Sequence, residues 1–457
     1  MRLKRTVTAA AVALSLLATS VACSKSDDAK GDGQIDVWIA FTDYRLDWAK
    51  QRADEFHQKH PKYTVNIQGY DSYEVLFDAV TGAVQKGSPP SIVQYFEAAT
   101  QDARDAVDKD GQPLFVSVEK AINGRADVLG EPVVLNDVVD AARNYYTVNG
   151  EFTSMPWNTS TTLFYANKNL ATKAKVDKVP QTWAEIKEAC GKIMKLADHP
   201  KHCVSWPNHG WFPEQAVAEQ GGLIADNDNG RSARAKKLNL TSPELLNFVK
   251  FQKGLYDSGD YYYSGKQNDW DGPKNAFAAQ EVAFLMTSAG DATAIVKDGQ
   301  TGGFGVDVAR MPYNGDVPYA GNLIGGATLW LTAGQEKGKE DASLAFMQFL
   351  NNPTNAASWH KTTGYVPITK AAGAQLETEG WYKDHPYAKV ATEQLALTNG
   401  SPAATGVLLG SFVSIRAVVT QAIEDVLVSG ADPDKRFAEA QLAAQKLLDD
   451  YNSLYGG

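Results

Sequence analysis

The stretch from Gln34 to Phe96 switches repeatedly between two hydrophobic periods, and that alternation limits the fold more than any other feature. "QIDVWIAF" has the short apolar run of a strand. "RLDWAKQRADEFHQKH" puts Leu46, Ala49, Ala53 and Phe56 on one helical face, and Pro61 stops it. "YTVNIQGY" follows as a second strand, and "YEVLFDAVTGAVQKG" as a helix ended by Gly87 and Pro89-Pro90. "SIVQYF" then gives a third strand. A β-α-β-α-β start requires a parallel sheet with right-handed crossovers.

A second set begins at "GEFTSMPWNTSTTLFYANK", where two extended runs flank a polar "NTST". "TWAEIKEACGKIMKLA" reads as a helix with Thr182 as N-cap and Glu185 completing a capping box. "SPELLNFVKFQKGLYDSG" and "GPKNAFAAQ" are further helices, and "EVAFLMTSAG" and "IGGATLWLTAG" are strands entering or leaving glycine turns. The late "GATLWL" has no parallel partner nearby and is expected to rejoin an earlier sheet. The last third is mostly helical. The chain has 457 residues, 44% of them hydrophobic, which is enough for two cores. The expectation is an α/β protein of two lobes, with residues 34–148 and 290–333 in lobe I and 149–289 and 334–457 in lobe II.

The first residues read as a targeting segment. "MRLKR" is basic, "VTAAAVALSLLATSVA" is a short apolar run, and Cys23 follows Val21-Ala22. The run is too short for a comfortable membrane span. The arrangement resembles a bacterial lipobox, with Ser20 where Leu is usual, and implies a signal peptide over 1–22 and a lipid on Cys23. "SKSDDAKGDG" extends this as a flexible tether over 23–33. The expected location is the outer face of the cell membrane, lipid-anchored. Net charge is −10 and becomes more acidic by three once Arg2, Lys4 and Arg5 leave with the signal peptide. No basic stripe is present, which argues against nucleic acid as a partner. Cys190 and Cys203 remain, and in an oxidising exterior an even pair suggests a disulfide.

Catalytic signatures are missing. The sequence has no G-x-S-x-G, Walker A loop, H-E-x-x-H or dinucleotide fingerprint. "DNDNGRS" at Asp226 imitates the start of a calcium loop, but its glycine comes one residue early and no Glu closes it, so an Asx-rich turn is expected. The seven His form no metal pattern, and His360 reads as a packing or helix-surface residue. Carboxylates are plentiful, yet no spacing singles out a glycosidase pair. The expectation is a protein that is not an enzyme and uses neither cofactor nor metal. An exported two-lobed chain with ten Trp and nineteen Tyr, more than packing needs, points to a solute receptor that closes by hinge motion.

"PWNTSTTLFYANK", "NLIGGATLWL", "AASWHKTTGYVPITKAA" and "GSFVSIRAVV" together resemble the extracellular solute-binding proteins of ABC importers, the family that includes maltose-binding protein, and most of all its glycerol-3-phosphate-binding branch. The resemblance runs from about Ile35 nearly to the C-terminus. It implies a periplasmic-binding-protein-like fold with a hinged cleft, a monomer, and a membrane permease with an ATPase as partner. The implied ligand is glycerol-3-phosphate or a glycerophosphodiester, with a neutral mono- or oligosaccharide as the alternative and a cell-surface glycosidase or esterase further behind.

The resemblance also implies the cleft residues Tyr73, Glu97, Ser160, Gly326, Tyr365 and Arg416. Arg416 offers a planar fork of donors suited to a phosphate, and Glu97 accepts from hydroxyls. Gly326 admits a close backbone N–H, and Tyr365 offers both an O–H and a ring face. Taken alone, each has a plainer reading: a surface ion pair for Arg416, core packing for Tyr365, a helix-start charge for Glu97 and a tight turn for Gly326. The family's cleft also carries a tryptophan, for which Trp211 and Trp206 are the candidates. One departure stands out. Where the branch carries serines, this chain has "TSAGDA", with Ala289-Gly290 in place and Asp291 next, leaving Ser288 as the substitute. A carboxylate there would oppose an anion. Finally, the break at Thr363-Gly364 is expected to turn Tyr365 off the helical path and into the cleft.

Overall fold

β1 (Gln34–Ile39) runs parallel to β2 (Thr64–Gly69), with Gln34 opposite Thr64, and parallel to β3 (Ile92–Phe96) on its other edge, in a computed structural model that describes residues 33–455. The expected signal peptide 1–22, Cys23 and all but the last residue of the tether lie outside the described residues. The connections are α1 (Tyr44–Lys59), capped by Asp43, and α2 (Tyr73–Gln85), capped by Ser72. α1 buries Trp48, Ala49, Ala53 and Phe56 against the sheet, close to the stripe read from the sequence.

β4 (Phe115–Val116) and two small hairpins follow, β5 (Asp127–Val128) with β6 (Glu131–Pro132) and β7 (Thr147–Val148) with β8 (Glu151–Phe152). β9 (Met155–Ser160) and β10 (Thr162–Asn167) come next, both buried along their whole length. The rest are β11 (Val204–Ser205), β12 (Tyr261–Tyr262), β13 (Phe284–Ser288), β14 (Val306–Arg310) and β15 (Gly325–Thr332). The first sheet has the order β2-β1-β3-β15-β4, with β9 also on β15, and the second has the order β12-β11-β13-β10-β14. "GATLWL" does rejoin the first sheet, antiparallel to β3 and β9.

Strand pairing divides the chain differently from the expected boundaries. β9, expected in lobe II, lies in the first sheet, and β14, expected in lobe I, lies in the second. The helix Lys337–Leu350, expected in lobe II, packs on β1, β15 and α1. The physical reason is at "NTST": the two extended runs are not one hairpin, because the chain leaves the first sheet after Ser160 and enters the second at Thr162. Thr161 is the crossing residue. Its hydroxyl donates to the Leu323 carbonyl at 2.9 Å, just before β15 makes the return crossing, and accepts from Gln394 Nε2 at 2.9 Å. Gln215 holds Leu323 from the other side through both its carbonyl and its N–H, each at 3.0 Å. A third passage follows Thr369, which is bridged to Val138 on the first-sheet side, before the helix Val390–Ala396 packs on β10 and β14.

The first sheet's core holds a tryptophan stack, with Trp157 and Trp359 4.9 Å apart at 17° and Trp48 4.8 Å from Trp359. In the second lobe Thr182 and Glu185 form the capping box of the helix Trp183–Ile193. Cys190 of that helix is disulfide-bonded to Cys203, the residue before β11. At "DNDNG", Asn227, Asp228 and Asn229 are all left-handed, and Asn229 Oδ1 accepts from the Ile224 and Ala225 N–H groups. Among the described residues no helix is long and apolar enough to cross a membrane.

Candidate functional site

The polar groups gather where β3, β9 and β15 end and the two sheets face each other. Glu97 opens the 3-10 turn directly after β3 and is buried. Arg416 lies in the first half of the helix Phe412–Val428, also buried, and its Nη1 is 2.8 Å from Glu97 Oε1. Its Nε donates to Glu214 Oε2 at 3.0 Å, and its Nη2 bonds the same oxygen. Glu214 comes from the helix Trp211–Glu219. The close approach of these two helices depends on Gly210, whose Cβ would sit 2.7 Å from Arg416 Cβ.

The donor fork expected to suit a phosphate is therefore already engaged by carboxylates. Arg416 is occupied on both edges, and one cation is shared by two carboxylates. The excess negative charge sits against an apolar wall, around a void of about 10 Å³ lined by Ile224, Leu240, Leu245 and Phe412, no larger than one water. Burial therefore pushes the Glu214 carboxyl up to about 7 despite Arg416, and raises Glu97 as well. His209, beside the cluster, is lowered to about 3 by burial and by Arg416, and its Nδ1 accepts from the Trp211 N–H at 3.1 Å.

The tyrosines form the other side. The helix Pro353–Thr363 ends at Gly364, whose φ of 103° lets its N–H bond the His360 carbonyl at 2.8 Å. Any Cβ there would lie 2.5 Å from the Ala289 carbonyl oxygen. The chain turns, and the Tyr365 ring lies parallel to Trp359, 5.7 Å away. His360 is a buried strut: its Nδ1 donates to the Tyr365 carbonyl at 2.7 Å, and burial lowers its pKa to about 4. Tyr73 begins α2, half-buried, with its ring stacked on Phe96 at 4.7 Å. Burial raises both phenols, and at Tyr73 the neighbouring Tyr365 adds to the rise. The Asn158 amide opposes it at both, and Arg45 of α1 opposes it at Tyr365.

The remaining expected residues fall around the same seam. Ser160 is paired with Gly325. Gly326 has a φ of 85°, and a Cβ on it would lie 1.8 Å from the Asn158 carbonyl oxygen, so its glycine is required by the sheet itself. Trp211 packs its ring on Gly325 and donates Nε1–H to the Ile324 carbonyl at 3.4 Å, whereas Trp206 is buried among Phe248, Phe251 and Tyr261 in the second lobe. Ser288 accepts from the Gly290 N–H at 3.0 Å. The Ala289-Gly290 departure has a steric reason, because a Cβ on Gly290 would lie 2.5 Å from the Tyr365 ring. Asp291 does not stand alone: Lys274 lies 3.6 Å from it.

Sequence reasoning missed Glu214, Gly210, Gln94, Asn158 and Arg45. Arg45, Gln94 and Asn158 lie inside stretches already quoted, "RLDWAKQRADEFHQKH", "SIVQYF" and "PWNTSTTLFYANK". The available signal was polarity on strands otherwise buried on both faces, since such a side chain must find a partner.

Known proteins bear on this site. The bacterial extracellular solute-binding protein family matches residues 51–390. The sn-glycerol-3-phosphate-binding periplasmic protein UgpB of Pectobacterium atrosepticum is 29% identical over 404 residues, covering 87% of each chain. The protein of the same name from Salmonella typhimurium is 28% identical over 403 residues, covering 87% of this chain and 88% of the other. Among solved structures, UgpB from Mycobacterium tuberculosis in complex with glycerophosphocholine superposes with a TM-score of 0.76 at 23% identity, over 92% of this chain and 99% of that one. The GacH receptor of Streptomyces glaucescens, solved unliganded and with acarbose, gives 0.72 at 19% identity, again over 92% and 99%.

Proposed function

Because the chain belongs to the bacterial extracellular solute-binding proteins and serves as the solute receptor of an ABC importer, we propose that it captures glycerol-3-phosphate or a glycerophosphodiester between its lobes and delivers it to the permease. The observation carrying this reading is the seam itself, where tyrosine and arginine donors face one side and the Glu97–Arg416–Glu214 cluster the other. Carboxylates accept from glycerol hydroxyls, while phenols and guanidinium suit phosphoryl oxygens. The names of the sequence relatives and the glycerophosphocholine complex point the same way.

The step is binding without chemistry. Moving the lobes from mostly open to mostly closed takes roughly 5.5 kcal/mol of differential binding, which a few charge-assisted hydrogen bonds of about 1.5–3 kcal/mol each supply. In the same reading the chain works as a monomer tethered through a lipid on Cys23. Calorimetry with glycerol-3-phosphate, glycerophosphocholine and a sugar panel tests the ligand class. The phosphate esters should bind, and Arg416→Ala should lose that binding. Heat from sugars alone would favour a saccharide receptor, the reading suggested by Arg416 being already balanced by two carboxylates. Turnover of any panel compound would replace the receptor reading by a hydrolase.

A further inference from the structure

The left-handed turn at "DNDNG" leads into two arginines. Gly230 closes it with a φ of 80°, and a Cβ there would lie 2.2 Å from the Leu408 carbonyl oxygen. Arg231 and Arg234 follow, and Arg104 comes from the helix Thr100–Asp105, which continues from β3. All three line one cavity of about 180 Å³, together with Gln101, Asp105 and Asn149. This cavity shares no residue with the void beside Arg416.

Only one of the three guanidinium groups is balanced. Arg234 holds Asp105 through two parallel bonds, Nη1 to Oδ2 at 2.9 Å and Nη2 to Oδ1 at 3.1 Å. Asp105 also accepts from Gln101 Nε2 at 2.7 Å and from the Tyr451 hydroxyl at 2.9 Å, so its lone pairs are taken. Arg104 donates Nη1–H to Gln101 Oε1 at 2.6 Å, and its other donors have no partner among the described residues. Arg231 lies over the Tyr145 ring, 4.4 Å from its centroid, and bonds main-chain carbonyls, Nε to Gly406 at 2.9 Å and Nη1 to Tyr145 at 2.6 Å. Its Nη2 is buried and unpaired. The other carboxylates that act on these arginines, Glu151 on Arg104 and Glu214 on Arg231, are paired with Lys120 and Arg416.

Three arginines against one carboxylate leave two positive charges around the cavity. Burial lowers the pKa of Arg104 and of Arg231, and at each a neighbouring guanidinium adds to the fall, Arg234 at the first and Arg104 at the second. An arginine does not respond by giving up its proton, so a bound anion is what relieves the excess. Such a concentration of positive charge is out of keeping with a chain of net charge −10.

We propose that this cavity is a second binding site, for a small doubly charged tetrahedral oxyanion, phosphate or sulfate. Guanidinium forks match such ions with paired N–H···O bonds, and two charges answer two. The volume admits the ion with some water and falls below the roughly 300 Å³ at which pockets for larger organic ligands begin. The site does not depend on what the cleft binds. A bound ion braces the helix after β3 against the Arg231–Arg234 segment, whose neighbour Ala235 is tied to the C-terminal helix by Asn452.

Two measurements decide it. Crystals of the wild-type protein soaked in selenate, a tetrahedral dianion with an anomalous signal, should show a peak within hydrogen-bond distance of Arg104 and Arg231. In solution, inorganic phosphate and sulfate should each bind in calorimetry and raise the melting temperature, and the tighter of the two identifies the ion. Arg104→Gln, which gives up a single side-chain bond of its own, should weaken that binding by about tenfold or more while its melting temperature without the ion stays unchanged. No selenate in the cavity overturns the proposal, as does equal oxyanion affinity in wild type and Arg104→Gln. A selenate peak confined to the cleft overturns it too, and leaves the glycerol-phosphate reading standing.

Discussion

Replacing Glu214 with glutamine should flatten the pH dependence of stability. On folding, burial takes this carboxyl from 4.5 to about 7, so the folded chain holds the proton more tightly than the unfolded one. Stability from this group is complete below pH 4.5 and is lost as pH climbs through 7. A tenfold change in proton affinity is worth about 1.4 kcal/mol, so between about pH 5 and about pH 8.5 the wild type should lose stability on the order of 2–3 kcal/mol through Glu214. In Glu214→Gln the new amide keeps an oxygen to accept from Arg416 Nε and removes the charge excess, leaving Arg416 one-to-one with Glu97. Urea unfolding followed by tryptophan fluorescence, on both proteins at both pH values, gives the double difference. Asp102, raised to about 6 by burial, and His209 and His360, both lowered by desolvation, titrate in both proteins and cancel. If the variant loses as much stability as the wild type between those pH values, the buried charge excess around Arg416 is refuted.

Two further outcomes follow from local geometry. Converting Cys190 and Cys203 to serine opens a link spanning 13 positions, and the urea-derived stability should fall by about 3 kcal/mol. Gly326→Ala combines a φ of 85° with a Cβ 1.8 Å from the Asn158 carbonyl oxygen, so its melting temperature should drop even without ligand, by an amount equivalent to about 3 kcal/mol or more.

The regular elements were legible because each carries its own period or cap. α1 shows its stripe, and Thr182 with Glu185 announces the helix they cap. The lobes were harder to draw. β9 and β10 are buried throughout, so neither shows an alternation that would assign it to a sheet, and only pairing reveals that the chain changes sheets at Thr161. Family resemblance located the seam residues, yet not their relations. That Arg416 is held by Glu214 joins positions 202 residues apart, which no local pattern encodes. Asn158 is similar: nothing in "PWNTST" says that its Oδ1 accepts from Gln94 Nε2 at 2.9 Å.

The place of β15 has a consequence for how the chain is made. Its partners β3 and β9 are synthesised long before it, yet their main chains are joined into one sheet only through it. Until residues 325–332 leave the ribosome, the first sheet has no middle, and two adhesive strand edges stand unpaired. The amino-terminal half therefore cannot finish folding ahead of the rest. The first sheet can close only once nearly three-quarters of the chain has been translated.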